Sequence, residues 1–126
     1  MKLEVISTDK APAAIGPYSQ AVKCGSMLFC SGQIPLDPAT GETVAGDISR
    51  QAEQVMSNIA AVLTEAGIGF DDVVKTTIYL VDMADFAVVN EVYGRCFQNH
   101  KPARSTVAVK SLPRGVQLEI EVIASL

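Results

Sequence analysis

The stretch Val73-Val74-Lys75-Thr76-Thr77-Ile78-Tyr79-Leu80-Val81 limits the possible folds more than any other part of this chain. It is β-branched and aromatic, and it is apolar on both faces apart from one lysine and two threonines. That pattern suits a central strand buried over most of its surface. Two amphipathic patterns flank it. Before it, Ile48, Ala52, Val55, Met56, Ile59, Val62, Leu63 and Ala66 recur at helical spacing, with Asp47 placed as N-cap and Gly67 at the end. After it, Phe86, Val89, Val92, Tyr93, Cys96 and Phe97 form a second apolar stripe, which Asp82 or Asp85 can cap and which ends near His100, before Lys101-Pro102.

The rest of the chain is punctuated by turns. Short strands are predicted over 19–23 and 27–31 around Cys24-Gly25-Ser26, with later strands over 105–110 and 116–124 and an additional N-terminal strand over 3–7. Strands interrupted by two amphipathic helices predict an α+β fold in which both helices cover one face of a single sheet. The whole chain, 1–126, reads as one domain.

Hydrophobic residues make up 48% of the chain and charged residues only 19%, below the usual ~25%. With helices on one sheet face, that surplus predicts a homo-oligomer that covers the other. A net charge of −4 gives no basic footprint for phosphates, so nucleic acid is not indicated as a partner. Cys24, Cys30 and Cys96 are odd in number and contain no Cys-x-x-Cys pair, which points to reduced thiols rather than a disulfide framework or a zinc site. The N-terminus lacks the apolar run of a secretory signal, and no stretch approaches the ~20 apolar residues of a membrane span. A soluble cytoplasmic protein is expected.

Arg104 and Glu119, fifteen residues apart, carry the most suggestive chemistry. A guanidinium can hold a carboxylate through two parallel N–H···O bonds, and a carboxylate beside it can activate water. On pattern alone each also fits a surface role. Glu119 alternates with Gln117 and Glu121 while Leu118, Ile120 and Val122 point the other way. Tyr18 follows the stiff segment Ala11–Pro17 and could be a core aromatic. Asn90 shares a helical face with Phe86, Tyr93 and Phe97, where an amide needs a partner. Ser31 and Gly32 end a strand at a point where glycine permits close backbone approach.

Four stretches, in this order and spacing, resemble the RidA (YjgF) family of small trimeric enamine/imine deaminases. They are Ala13-Ala14-Ile15-Gly16-Pro17-Tyr18-Ser19-Gln20-Ala21; Ser31-Gly32-Gln33-Ile34-Pro35; Val74-Lys75-Thr76-Thr77 with Asp85-Phe86; and Pro102-Ala103-Arg104-Ser105 through Leu118-Glu119-Ile120-Glu121. The resemblance implies a chorismate-mutase-like fold, a mixed six-stranded sheet with two helices on one face. It implies that three copies join their sheets into a barrel-like core, and that the last strand inserts between earlier ones although Ser111–Gly115 looks like a hairpin loop. The implied activity is hydrolysis of 2-iminobutanoate and 2-iminopropanoate, released by pyridoxal-phosphate-dependent dehydratases, to 2-oxo acids and ammonia, with no metal or organic cofactor. Arg104 would clamp the carboxylate and Glu119 would handle the water. Tyr18, Ser31, Gly32, Asn90 and Thr106 would contact substrate in clefts between subunits. Many members have cysteine where this chain has Thr106. Some relatives have been described as endoribonucleases or translation inhibitors, and a metabolite-binding or chaperone-like trimer is a further alternative.

Overall fold

The computed structural model describes residues 2–126. Six strands, β1 (Leu3–Ile6), β2 (Ala21–Cys24), β3 (Met27–Cys30), β4 (Val73–Leu80), β5 (Ala103–Ala108) and β6 (Leu118–Ser125), form one sheet in the order β1-β2-β3-β6-β4-β5. Helices α1 (Ile48–Glu65) and α2 (Phe86–Cys96) pack together and close the apolar core on one face. The β4–β5 pair is parallel and every other pair antiparallel, so the sheet is mixed. No helix among the described residues is long and apolar enough to cross a membrane.

The last strand inserts as the resemblance implied. β6 pairs with β3 on one side and with β4 on the other, leaving β5 at an edge although it precedes β6 in sequence. The composition of β6 accounts for this central place. Leu118, Ile120, Val122 and Ala124 are all buried on the helix face beside Ile78 and Leu80 of β4. Burying a Leu, Ile or Val side chain contributes ~1.5–3 kcal/mol, so this alternation fixes the strand's orientation.

Strand ends differ from the sequence expectation by at most two residues. β5 begins at Ala103 because its pairing with Lys75 extends the parallel ladder to the residue after Pro102, and β6 begins at Leu118 because Pro113–Gly115 forms a tight turn first. Asp47 caps α1 as expected, its carboxylate accepting from the Arg50 amide at 3.0 Å. Asp82 caps a short 3-10 turn, Met83–Asp85, ahead of α2, while Asp85 occupies the N-cap position without a side-chain bond.

Two polar residues on α1 lie outside the predicted stripe and are nevertheless buried. Asn58 donates to the carbonyls of Ile34 and Leu36 at 3.3 and 3.0 Å, and Gln54 donates to Asn58 at 2.9 Å. These bonds satisfy backbone groups of a segment without regular structure and tie it to the helix.

Candidate active site

Leu28 and Phe29 of β3 face Ala124 and Ile123 of β6, but the next bridge joins Gln33 to Ile120, with one extra residue on the β3 side. This bulge brings Gly32 against Glu119. A side chain at Gly32 would place its Cβ 2.8 Å from Glu119 Cδ and 3.0 Å from Cγ. Gly32 is therefore required for space, and Glu119 is wedged against backbone.

Glu119 opens into a cleft of about 510 Å³, lined also by Tyr18, Ser31, Gly32, Ile15, Ile34 and Arg114. Ser31 closes the wall behind it, its hydroxyl donating to the Ser19 carbonyl at 2.6 Å and its amide to the Gln20 carbonyl at 2.9 Å. Gln20 in turn clasps Thr8, Ala11 and Pro12 through their backbones, which holds the segment leading to Tyr18. Tyr18 is 53% exposed rather than a core aromatic, and Ile15 is 79% exposed beside it. Burial, and then the neighbouring charge of Glu121, hold the Glu119 carboxyl above the usual carboxylate range.

Arg104 belongs to a second group of residues. In the β4–β5 ladder it stands opposite Thr76, which is fully buried on the helix face, so its side chain emerges toward α2. The guanidinium lies 5.3 Å from the centroid of Phe86 and 5.1 Å from that of Tyr93, and it donates to Asn90 Oδ1 at 2.6 Å. The amide that needed a partner has Arg104. Tyr93 is itself fixed by a 2.8 Å hydrogen bond with Thr76, and burial raises its hydroxyl pKa despite the opposing pull of Thr76 and Arg104. A planar cation is thus held over two rings, with its carboxylate-binding edge oriented by an amide.

Thr106 lies two residues along β5 on the same face, opposite Ile78. Its hydroxyl oxygen is buried with no hydrogen-bond partner, so it does not line the Glu119 cleft.

The structure brings Tyr18, Ser31, Gly32 and Glu119 together, and separately Arg104, Asn90 and Thr106. The two groups occupy opposite faces of the sheet: Glu119 pairs with Tyr79, whereas Arg104 pairs with Thr76, and these alternate along β4. Sequence reasoning missed Arg114, whose backbone is left-handed (φ 59°), and whose guanidinium donates to the Gly41 carbonyl at 2.9 Å at the cleft mouth. No pattern in the sequence marks it. Ile15 and Ile34 sat inside quoted motifs and could have been read as apolar walls.

Residues 8–126 match the family described as Endoribonuclease L-PSP. A RutC family protein of Pyrococcus abyssi is 56% identical over 98% of both chains. The 2-iminobutanoate/2-iminopropanoate deaminase of Mus musculus is 51% identical, over 96% of this chain and 90% of the mouse protein. The crystal structure of Escherichia coli TdcF with bound serine superposes with a TM-score of 0.93 at 46% identity, covering 98% of each chain. The chain belongs to this family, also known as RidA or YjgF.

Proposed function

We propose that this member of the endoribonuclease L-PSP (RidA) family is a 2-iminobutanoate/2-iminopropanoate deaminase, hydrolysing short 2-imino acids to 2-oxo acids and ammonia. The observation that carries the reading is the pair of half-sites. One holds a cation shaped for a carboxylate, and the other holds a half-buried carboxyl whose proton affinity is raised. The mouse relative's name and the serine bound to TdcF support a small amino-acid-like ligand.

In this reading Arg104 of one copy binds the substrate carboxylate across the mouth of a neighbouring copy's cleft. Glu119 there takes a proton from water as its oxygen attacks the imine carbon, forming a carbinolamine. The same carboxyl delivers that proton to the imine nitrogen, then relays the carbinolamine hydroxyl proton to the nitrogen as the C–N bond breaks, so that ammonia leaves and the C=O bond of the 2-oxo acid forms. A carboxyl with raised proton affinity is a better base for the first transfer and still an acid for the second, each typically worth ~10²–10⁴-fold. Because Arg104 and Glu119 occupy opposite sheet faces, we propose that the site forms only between copies, in a homotrimer. The exposed Leu3, Val5, Phe29 and Val107 on the face away from the helices support that assembly.

The test is an assay in which a threonine dehydratase generates the imine while semicarbazide competes for it. Acceleration of 2-oxobutanoate formation, lost in Arg104→Ala, is the expected result. No acceleration by the wild-type protein overturns the assignment. The family's description favours one competing reading, ribonuclease. RNA cleavage that survives repurification and disappears in Glu119→Gln would establish that instead.

A further inference from the structure

Glu119 does not stand alone on the open face of the sheet. The alternation that buries Leu118, Ile120 and Val122 turns both Glu119 and Glu121 the other way. Tyr79 sits directly opposite Glu119 in the β4–β6 ladder, and its hydroxyl reaches diagonally to donate to Glu121 Oε1 at 2.5 Å. Diagonal neighbours across an antiparallel pair lie within reach of an aromatic side chain, so this bond needs no distortion of the ladder. Among the described residues neither glutamate forms an ion pair. Among the described residues, the Tyr79 hydroxyl is the hydrogen-bond partner of the Glu121 side chain.

We propose that Tyr79 and Glu121 are positioning residues for Glu119: the Tyr79 hydroxyl pins a second carboxylate beside the working one, and that fixed charge governs when Glu119 takes up and releases its proton. This rests on the proposed role of Glu119 in handling water. Within one copy the other groups that face the pair are few, and in the proposed assembly the neighbouring copy's Arg104 joins them across the cleft mouth. Arg114 approaches Glu119 from the Pro113–Gly115 turn, and Tyr18 approaches from the segment before β2. The bulged segment after β3 offers only the uncharged Ser31, Gly32 and Gln33. Lys75, farther along β4, borders with Thr77 and Phe29 a hollow of about 280 Å³ that Glu121 also lines, beyond ion-pair distance. Arg114 is engaged with the Gly41 carbonyl and lies 4.0 Å from Glu42, so its charge is shared away from the cleft.

The local electrostatics agree. After burial, the charge of Glu121 is the next cause that raises the Glu119 carboxyl. The Tyr79 hydroxyl is raised first by its bond to Glu121, so it stays protonated and remains a donor. A charge held close to a carboxyl opposes its ionisation, and at Glu119 burial acts in the same direction.

The test is a ¹³C-carboxylate NMR titration of the full-length protein labelled at glutamate, with the Glu119 signal identified by its loss in Glu119→Gln. Glu121→Gln is expected to move the Glu119 midpoint to lower pH. Tyr79→Phe is expected to move it in the same direction by less, and Glu121→Asp, which keeps the charge but draws it away from the Tyr79 hydroxyl, to move it less than Glu121→Gln does. In the deaminase assay, the acid limb of kcat should follow the NMR midpoint across the series while KM stays within about twofold of wild type. An unmoved midpoint in Glu121→Gln overturns the proposal. An unmoved midpoint in Tyr79→Phe removes the pinning role of the hydroxyl. The NMR result stands whether or not the protein deaminates imines, so absence of activity with a shifted midpoint refutes the catalytic reading alone.

Discussion

Replacing Gly32 by alanine should disable the site while leaving the fold nearly intact. Gly32 does not have a positive φ, so alanine is compatible with the backbone there and the effect is purely one of space. The new methyl would stand 2.8 Å from Glu119 Cδ, where ordinary contact begins near 3.4 Å. The carboxyl carbon must therefore retreat by about 0.6 Å, and its leading oxygen by more than about 1 Å. Glu119 is the far end of a flexible side chain facing an open cleft, so it can swing aside at a stability cost of about 1 kcal/mol or less. Catalysis is less forgiving, because a misplacement of ~1 Å can cost ~10²-fold.

We therefore expect kcat for imine hydrolysis to fall by about 10²-fold in Gly32→Ala, with a urea midpoint close to wild type. The control is a double-mutant cycle with Glu119→Ala. If the glycine serves only to seat the carboxylate, Gly32→Ala has no further effect once Glu119 is gone. Full activity in Gly32→Ala would refute the reasoning. So would a second large loss on top of Glu119→Ala, since the glycine would then serve something other than Glu119.

Arg104→Lys keeps the charge but loses the planar fork and much of the contact with Phe86 and Tyr93, so kcat/KM should drop by at least about tenfold, read in the same assay. Glu119→Gln should stabilise the protein at neutral pH. A raised carboxyl pKa means the native state loses stability as pH rises from the unfolded value near 4.5 through the folded one, and glutamine removes that loss. Urea unfolding of both proteins should therefore diverge above that window and converge below it; a constant difference at every pH contradicts the sign. If the proposed homotrimer forms, Phe29→Asp, on the open face of β3, should reduce it to monomers by light scattering and abolish activity together, and an active monomer would exclude a shared site.

Much of the fold was legible because its periodicities were strong. The stripe of α1 and the alternation of β6 each permit one buried face, and β4 announced itself by having almost no polar one. The site was legible only as separate fragments. β5 reads Ala-Arg-Ser-Thr-Val-Ala, with most of its residues exposed, so alternation gives no clue to which side Arg104 takes. Its side is set by register with Thr76, a long-range property of the parallel ladder. The bulge between Phe29 and Gln33 is equally invisible, since one extra residue leaves no mark in composition, yet it decides that Gly32 meets Glu119. Gln54 and Asn58 escaped because polar residues on a helix read as solvent-facing until the backbone they satisfy is known.

The placement of Arg104 and Glu119 on opposite faces also allows a test that does not depend on the strength of any contact. Arg114 lies in the same cleft as Glu119, so a site contained within one chain would use it as the cation in place of Arg104. Two inactive variants, Arg104→Ala and Glu119→Gln, discriminate the cases when mixed. In a closed ring each site would combine the arginine of one copy with the glutamate of the next. Random mixing in equal amounts would restore both native residues to about a quarter of the sites, and activity should recover to about a quarter of wild type. A site built within one chain around Arg104 recovers nothing, because every chain still carries one lesion, whereas one built around Arg114 leaves Arg104→Ala active before any mixing. Arg114→Ala mixed with Glu119→Gln serves as the matching control: if Arg104 is the clamp, the Arg114→Ala copies are active before any mixing. Recovery in the first mixture with retained activity of Arg114→Ala assigns the cation to Arg104 and the site to two copies. Failure of the first mixture to recover, despite exchange of subunits shown by differently tagged chains, would refute the shared site, and an Arg104→Ala protein that is active on its own would return the chemistry to a single cleft and to Arg114.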